Sequence, residues 1–177
     1  KIIGDLEGYY AQGHFVYDSK KSGAVTVSHL RFGPQKIRSA YEIQADQANF
    51  IACHQPRFLD LCPMLDKARI GAVFLLNSSA SPSELWDTLP EPVQQTLIDK
   101  QIRLFAIDAY KVALECGMGK RINTIMQSCF FKISGILPIE QAIELIKDAV
   151  RKSYSSNPKV VELNLKAIDA SLSQLHP

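Results

Sequence analysis

The chain has 177 residues, 46% of them hydrophobic and 21% charged, and 20 basic against 18 acidic side chains leave a net charge of +2. That balance belongs to one soluble globular domain, or at most two small ones, with enough apolar mass for a core, and it excludes a disordered chain. No run approaches the ~20 consecutive apolar residues of a membrane span, and so small a net charge sets up no global field for nucleic acid or a lipid surface, so any anion site is local.

Lys1-Ile2-Ile3-Gly4 reads as the last turn of a helix closing on glycine, so the chain is expected to begin inside an element and to be a piece of something longer. Phe15-Val16-Tyr17 and Val25-Thr26-Val27 predict two strands joined by the turn-like Asp18-Ser19-Lys20-Lys21-Ser22-Gly23. Residues 37–43 and 50–53 predict two more. The apolar runs 71–76 and 102–107 end at Asn77 and Asp108. Such runs fit strands buried on both faces, as in a parallel sheet covered by helices.

Helical signals follow. Ser81-Pro82-Ser83-Glu84 has the capping-box spacing with Pro at the first helical position. Pro90 and Pro92 then interrupt, and Val93, Leu97 and Ile98 resume an apolar face. Ile122, Ile125, Met126, Cys129 and Ile133 recur at helical spacing. Pro138 opens a helix with Ala142, Ile143, Ile146, Ala149 and Val150 on one side, and the last helix carries Val161, Leu165, Ile168, Leu172 and Leu175. The fold expected is α/β: a doubly wound, mostly parallel sheet with helices on both faces and a helical C-terminal part, forming a single domain over residues 1–177.

The chemistry is less legible. Cys53, Cys62, Cys116 and Cys129 have no CxxC pairing and read as reduced, mostly buried thiols of a cytosolic protein, not as ligands of zinc or an iron–sulfur cluster. His14, His29, His54 and His176 are scattered, and no Gly-x-Ser-x-Gly elbow is present, so no catalytic residue is assigned. His29 is expected to satisfy a local hydrogen bond, and Trp86 and Tyr154 to pack in the core or at its rim.

Two segments have the chemistry of anion sites. Lys20, Lys21 and Ser22 offer ammonium groups and a hydroxyl in one connection, although composition alone favours an ordinary solvated turn. Gly117-Met118-Gly119-Lys120-Arg121-Ile122-Asn123 runs into the start of a helix, where free amides and the dipole favour an anion. Lys120 and Arg121 are unfavourable there for the helix itself, which suggests a negative ligand. A helix stop at Gly117 followed by a solvated basic start fits equally well. Neither Walker A nor G-x-G-x-x-G is present, because Ile122 holds the third glycine's place.

At these same segments the sequence closely resembles pyruvate:ferredoxin (flavodoxin) oxidoreductase. The resemblance is carried by Tyr17-Asp18-Ser19-Lys20-Lys21-Ser22-Gly23, Val27-Ser28-His29-Leu30-Arg31-Phe32-Gly33-Pro34 and the stretch from Gly117 to Gln127. Ala52-Cys53-His54, Phe74-Leu75-Leu76-Asn77-Ser78 and Ile107-Asp108-Ala109-Tyr110-Lys111-Val112-Ala113 carry it too. It spans nearly all of the chain and corresponds to the gamma-type domain of that multidomain enzyme.

The resemblance implies an enzyme that decarboxylates pyruvate oxidatively and forms acetyl-coenzyme A, with electrons passing to ferredoxin or flavodoxin. Thiamine diphosphate, magnesium and iron–sulfur clusters are implied for other domains of a cytoplasmic, homodimeric parent, with no nucleic acid and no membrane involved. This domain is implied to handle coenzyme A (CoA) and not to be catalytic alone. Lys20, Lys21 and Ser22 fall in the family's nucleotide-contacting loop, Asn123 and Asn164 match contacting asparagines, and Arg121 is a phosphate neighbour. Two points stand out: the resemblance places the family's glycine-rich segment just upstream of Lys1, outside this sequence, and Ala24 stands where a second glycine is common. The alternative role is a structural assembly module without direct nucleotide contact. A free-standing nucleotide-binding protein is disfavoured by the expected start inside an element and by the missing dinucleotide fingerprint.

Overall fold

The computed structural model describes residues 6–17 and 25–177. In chain order the elements are β1 (Tyr10–Tyr17), β2 (Thr26–Gly33), β3 (Ala48–Cys53), the single turn α1 (Phe58–Leu61), β4 (Ala68–Asn77), α2 (Glu91–Asp99), β5 (Arg103–Ile107), α3 (Ala109–Glu115), α4 (Asn123–Ser134), α5 (Ile139–Ser153) and α6 (Pro158–Gln174). Short 3-10 turns precede β4 and α2 at Met64–Lys67 and Trp86–Thr88.

β3, β4 and β5 form a parallel sheet in that spatial order, with Ile51 opposite Phe74 and Leu75 opposite Phe105. Both faces are covered, as the apolar runs imply. Strands laid down in one direction take right-handed crossovers, which put both connections on the same face. Leu65, Leu85, Leu89 and Leu97 from those connections accordingly pack on Phe74 and Leu76. Leu75 and Ile107 point the other way, into a core closed by Val112, Ile125, Met126 and Ala167 of α3, α4 and α6. A third cluster, with Phe131, Ile143, Ile146, Val150 and Ile168, joins α4, α5 and α6 into the helical C-terminal part.

α6 lies between two cores. Its predicted stripe of Val161, Leu165, Ile168 and Leu172 packs toward α5. Asn164, Ala167 and Ser171 are buried as well, and Ala167 belongs to the core beneath the sheet. Small side chains on that second face let α6 approach α3 and α4 closely.

β1 and β2 form a separate antiparallel ribbon, paired from Tyr10 opposite Gly33 to Tyr17 opposite Thr26. Its root is fixed by Phe32, which meets Phe130 of α4 edge-on at 6.0 Å; Phe50 of β3 meets the same ring at 4.8 Å. At the far edge of the sheet His176 pairs with Ala106 of β5 through two backbone hydrogen bonds of 2.8 and 3.1 Å.

Three predicted features differ. Residues 37–43 are not a strand but part of an irregular segment lying over one face of the ribbon. Its backbone is held by β2 side chains: Ile43 N donates to His29 Nδ1 at 3.1 Å, and the Arg31 guanidinium donates to the carbonyls of Ala40 and Glu42. Ser81–Glu84 makes only one turn, in which Glu84 N and Leu85 N donate to Ser81 O. Proline has no N–H to extend a helix, and at Pro90 the chain restarts as α2. Ile98 is exposed, because α2 turns Leu97 inward in its place. Trp86 and Tyr154 sit at the rim, about two-fifths exposed.

Candidate functional site

The connection from α3 to α4 is built by a helix stop and a helix start. Asp108 opens α3, its Oδ1 accepting from Lys111 N at 2.9 Å. Seven residues later the helix closes in a Schellman motif: Met118 N donates to Ala113 O at 2.7 Å and Gly117 N to Leu114 O at 3.0 Å. Gly117 takes φ +77°, a left-handed conformation that favours glycine, and it faces the Leu163 side chain of α6. Met118 is buried in the core beneath the sheet and anchors the loop. The helix stop anticipated at Gly117 is thus present. It leaves Lys120 and Arg121 on the surface, where neither pairs with a carboxylate of the described residues.

α4 begins at Asn123 with no side chain capping it, since the flanking residue is the buried Ile122. Its first-turn amides and their partial positive charge thus lack a side-chain cap and lie next in sequence to two exposed cations. Asn123 is exposed at this end. Thr124 turns inward instead, and its hydroxyl donates to Asn164 Oδ1 at 2.9 Å. Asn164 is 3% exposed, and its amide nitrogen donates to Val160 O at 2.8 Å. Arg121 and Asn123 thus share one surface, and Asn164 lies beneath it as a brace between α6 and the first turn of α4. Lys20, Lys21, Ser22 and Ala24 lie outside the described residues.

Sequence reasoning missed Asn77. It is 2% exposed at the carboxyl end of β4; its amide nitrogen donates to His54 O and its Oδ1 accepts from Ala109 N, both at 2.9 Å. One side chain thereby ties the ends of β3 and β4 to the start of α3. A cleft of about 380 Å³ opens at this end, lined in part by Arg57, Asp60, Ser78 and Thr88. The signal available was an asparagine directly after a continuous apolar run, where the ends of parallel strands gather.

Burial, reinforced by the Lys67 charge, holds His29 below the usual histidine range, so it is a neutral acceptor for Ile43 N. Burial pushes the Cys53 thiol up to about 11 and the Cys129 thiol up to about 12, which keeps both protonated and unreactive. Among the described residues no three His, Cys, Asp or Glu side chains converge on a metal position, and no helix is long and apolar enough to cross a membrane.

The chain has counterparts among known proteins. A family model described as pyruvate ferredoxin/flavodoxin oxidoreductase matches residues 1–174. The chain is 56% identical to pyruvate-flavodoxin oxidoreductase of Rhodospirillum rubrum and 48% identical to pyruvate:ferredoxin oxidoreductase of Moorella thermoacetica; each match covers 99% of this chain and 15% of the relative. The chain therefore spans about 15% of the length of these curated relatives. Among solved structures, pyruvate oxidoreductase subunit PORC from Thermotoga maritima superimposes with a TM-score of 0.68 at 15% identity, over 96% of this chain and 82% of that one. The 2-oxoglutarate:ferredoxin oxidoreductase of Magnetococcus marinus, with 2-oxoglutarate, coenzyme A and succinyl-CoA bound, does so with a TM-score of 0.63 at 15% identity, over 94% of this chain and 25% of that one. With the family model matched along almost the whole chain and relatives at half identity or more, this chain belongs to the pyruvate ferredoxin/flavodoxin oxidoreductase family.

Proposed function

We propose that this chain is the CoA-handling domain of a pyruvate:ferredoxin or flavodoxin oxidoreductase, which converts pyruvate, CoA and oxidised acceptor to acetyl-CoA, carbon dioxide and reduced acceptor. The observation that carries the reading is the uncapped start of α4, exposed beside Lys120 and Arg121 with no described carboxylate to neutralise them. Such a surface suits the phosphates of a nucleotide. CoA, when bound, supplies the thiol that accepts the acetyl group. This chain's residues bind and orient it: Arg121 and the first amides of α4 take phosphate oxygens, and Asn123 adds a polar contact. Asn164 contributes as a positioning residue, since its own amide is committed to Thr124 and Val160. Lys20, Lys21 and Ser22 are proposed as further phosphate contacts on the strength of the family resemblance.

Holding the thiol at a fixed place converts an encounter between CoA and the acyl donor into an oriented step. Thiamine diphosphate, magnesium and iron–sulfur clusters are assigned to other parts of the enzyme, a cytoplasmic homodimer. The related fold in an enzyme whose structure contains CoA supports the reading at the level of architecture. The alternative assembly role predicts basic loops neutralised by protein carboxylates, those of the enzyme's other domains included.

In the full-length enzyme, Arg121→Ala and Asn123→Ala should each raise the KM for CoA, by roughly tenfold for the arginine as expected of a lost charge-assisted hydrogen bond. The KM for pyruvate should stay unchanged. A Lys20→Ala, Lys21→Ala double variant should act in the same direction. CoA dependence unaltered in all three would leave the assembly role as the better account.

A further inference from the structure

The β1–β2 ribbon has two unlike faces. Residues paired in an antiparallel ribbon project to the same side. Gln12, His14, His29 and Arg31 therefore share one face. The irregular segment lies over it, with Ile43 N on His29 and the Ala40 and Glu42 carbonyls on Arg31. The other face holds Gly13, Phe15, Tyr17, Ser28, Leu30 and Phe32, and bears no charged side chain among its described positions.

Among the described residues this second face is covered only at its root, where Phe32 meets Phe130. Beyond that point it is bare: Phe15 is 52% exposed, Leu30 53% and Tyr17 71%. Gly13 leaves a shallow gap flanked by the Leu30 and Phe15 side chains, each 3.5 Å from where a Cβ would sit. A two-stranded ribbon is marginal in water by itself, and contiguous exposed apolar area on a rigid element marks a contact surface.

We propose that this uncharged face packs against an apolar surface of another domain of the same oxidoreductase polypeptide. The chain spans only 15% of the relatives it matches, so most of such an enzyme lies outside it. A neighbouring domain on the same polypeptide is present at millimolar effective concentration, which favours it over a second copy of this chain. The absence of charge specifies an equally uncharged patch opposite, with an aromatic or branched side chain seated over Gly13. The inference rests on family membership and not on CoA binding, so an unaltered KM for CoA in those variants leaves it standing.

The test uses the full-length enzyme with Phe15→p-benzoylphenylalanine, irradiated and digested for mass spectrometry. The expected adducts join position 15 to peptides outside residues 1–177 while the protein keeps its single-chain mass on a denaturing gel. Adducts confined to residues 1–177, adducts joining two polypeptides, or no adduct would each overturn the proposal. A Ser28→Cys variant supplies a second readout that tolerates a poorly placed photoprobe. Its maleimide labelling in the native enzyme should be about a hundredfold slower than after unfolding, as for a site reached only by local opening. A rate within about tenfold of the unfolded one would overturn the proposal.

Discussion

Two asparagines and one histidine show how single residues set this structure. Asn77 and Asn164 each bridge elements distant in sequence, and each is almost fully buried with both ends of its amide engaged. Buried amides are tolerated on that condition. His29 meets the same demand by staying neutral, because its Nδ1 accepts from Ile43 N. Its pKa is held below the ordinary 6.5, first by burial and then by Lys67. The unfolded chain therefore takes up a proton below about pH 6.5 that the folded chain refuses, so stability falls as pH drops through that range and is unaffected above it. Denaturant midpoints at pH 7.5 and 5.5 should show this loss in the wild type and a smaller one in His29→Gln; equal losses would dissociate His29 from the effect. The expectation of a locally bonded histidine thus agrees with the structure, whereas the burial of Asn164 was not legible. The stripe from Val161 to Leu172 marks one side of α6, and a helix wedged between two cores buries a second side that a single periodicity does not report.

Elements are held as much by side chains reaching across to backbone as by their own ladders. Lys100, just after α2, places its ammonium against the carbonyls of Leu65, Asp66 and Ala68 at 3.0 to 3.2 Å and against Asp46 Oδ1 at 2.8 Å. The carbonyls close the 3-10 turn that leads into β4, where a cation is favoured. Which partner matters more follows from exposure. The Asp46 side chain is 70% exposed, and such a pair contributes under about 1 kcal/mol. Losing the cation strips charge-assisted bonds from several carbonyls, so Lys100→Met should cost about 2–3 kcal/mol and Asp46→Asn under about 1 kcal/mol in denaturant titrations. Equal costs would show that the ion pair dominates. The same kind of contact explains what the sequence left unread. Residues 37–43 are expected as a strand, yet His29 and Arg31 hold their backbone from another element. β3, β4 and β5 were legible because burial on both faces demands unbroken apolar runs, which few loops contain.

For the whole molecule, the α/β layering followed from the order of signals, and the proposed site followed in part. The basic start of α4 stands where its glycines and cations are written, but its exposure depends on Ile122 being drawn into the core and leaving the helix uncapped. The sheet itself is completed late. Ala106 lies on the edge strand and gains its outer partner only from His176. His176→Pro removes one of the two bonds and leaves the buried Ala106 carbonyl unpaired, at an expected cost of about 1–3 kcal/mol in the unfolding free energy. No change in the denaturant midpoint would show that water replaces the lost donor. During synthesis β5 leaves the ribosome about 70 residues ahead of His176, an interval of roughly 4–14 s at ordinary elongation rates. Throughout that interval the nascent chain presents an open strand edge, able to pair with another copy emerging from the same polysome. Pairing with His176 therefore sets the moment at which this strand edge stops being a template for neighbouring chains.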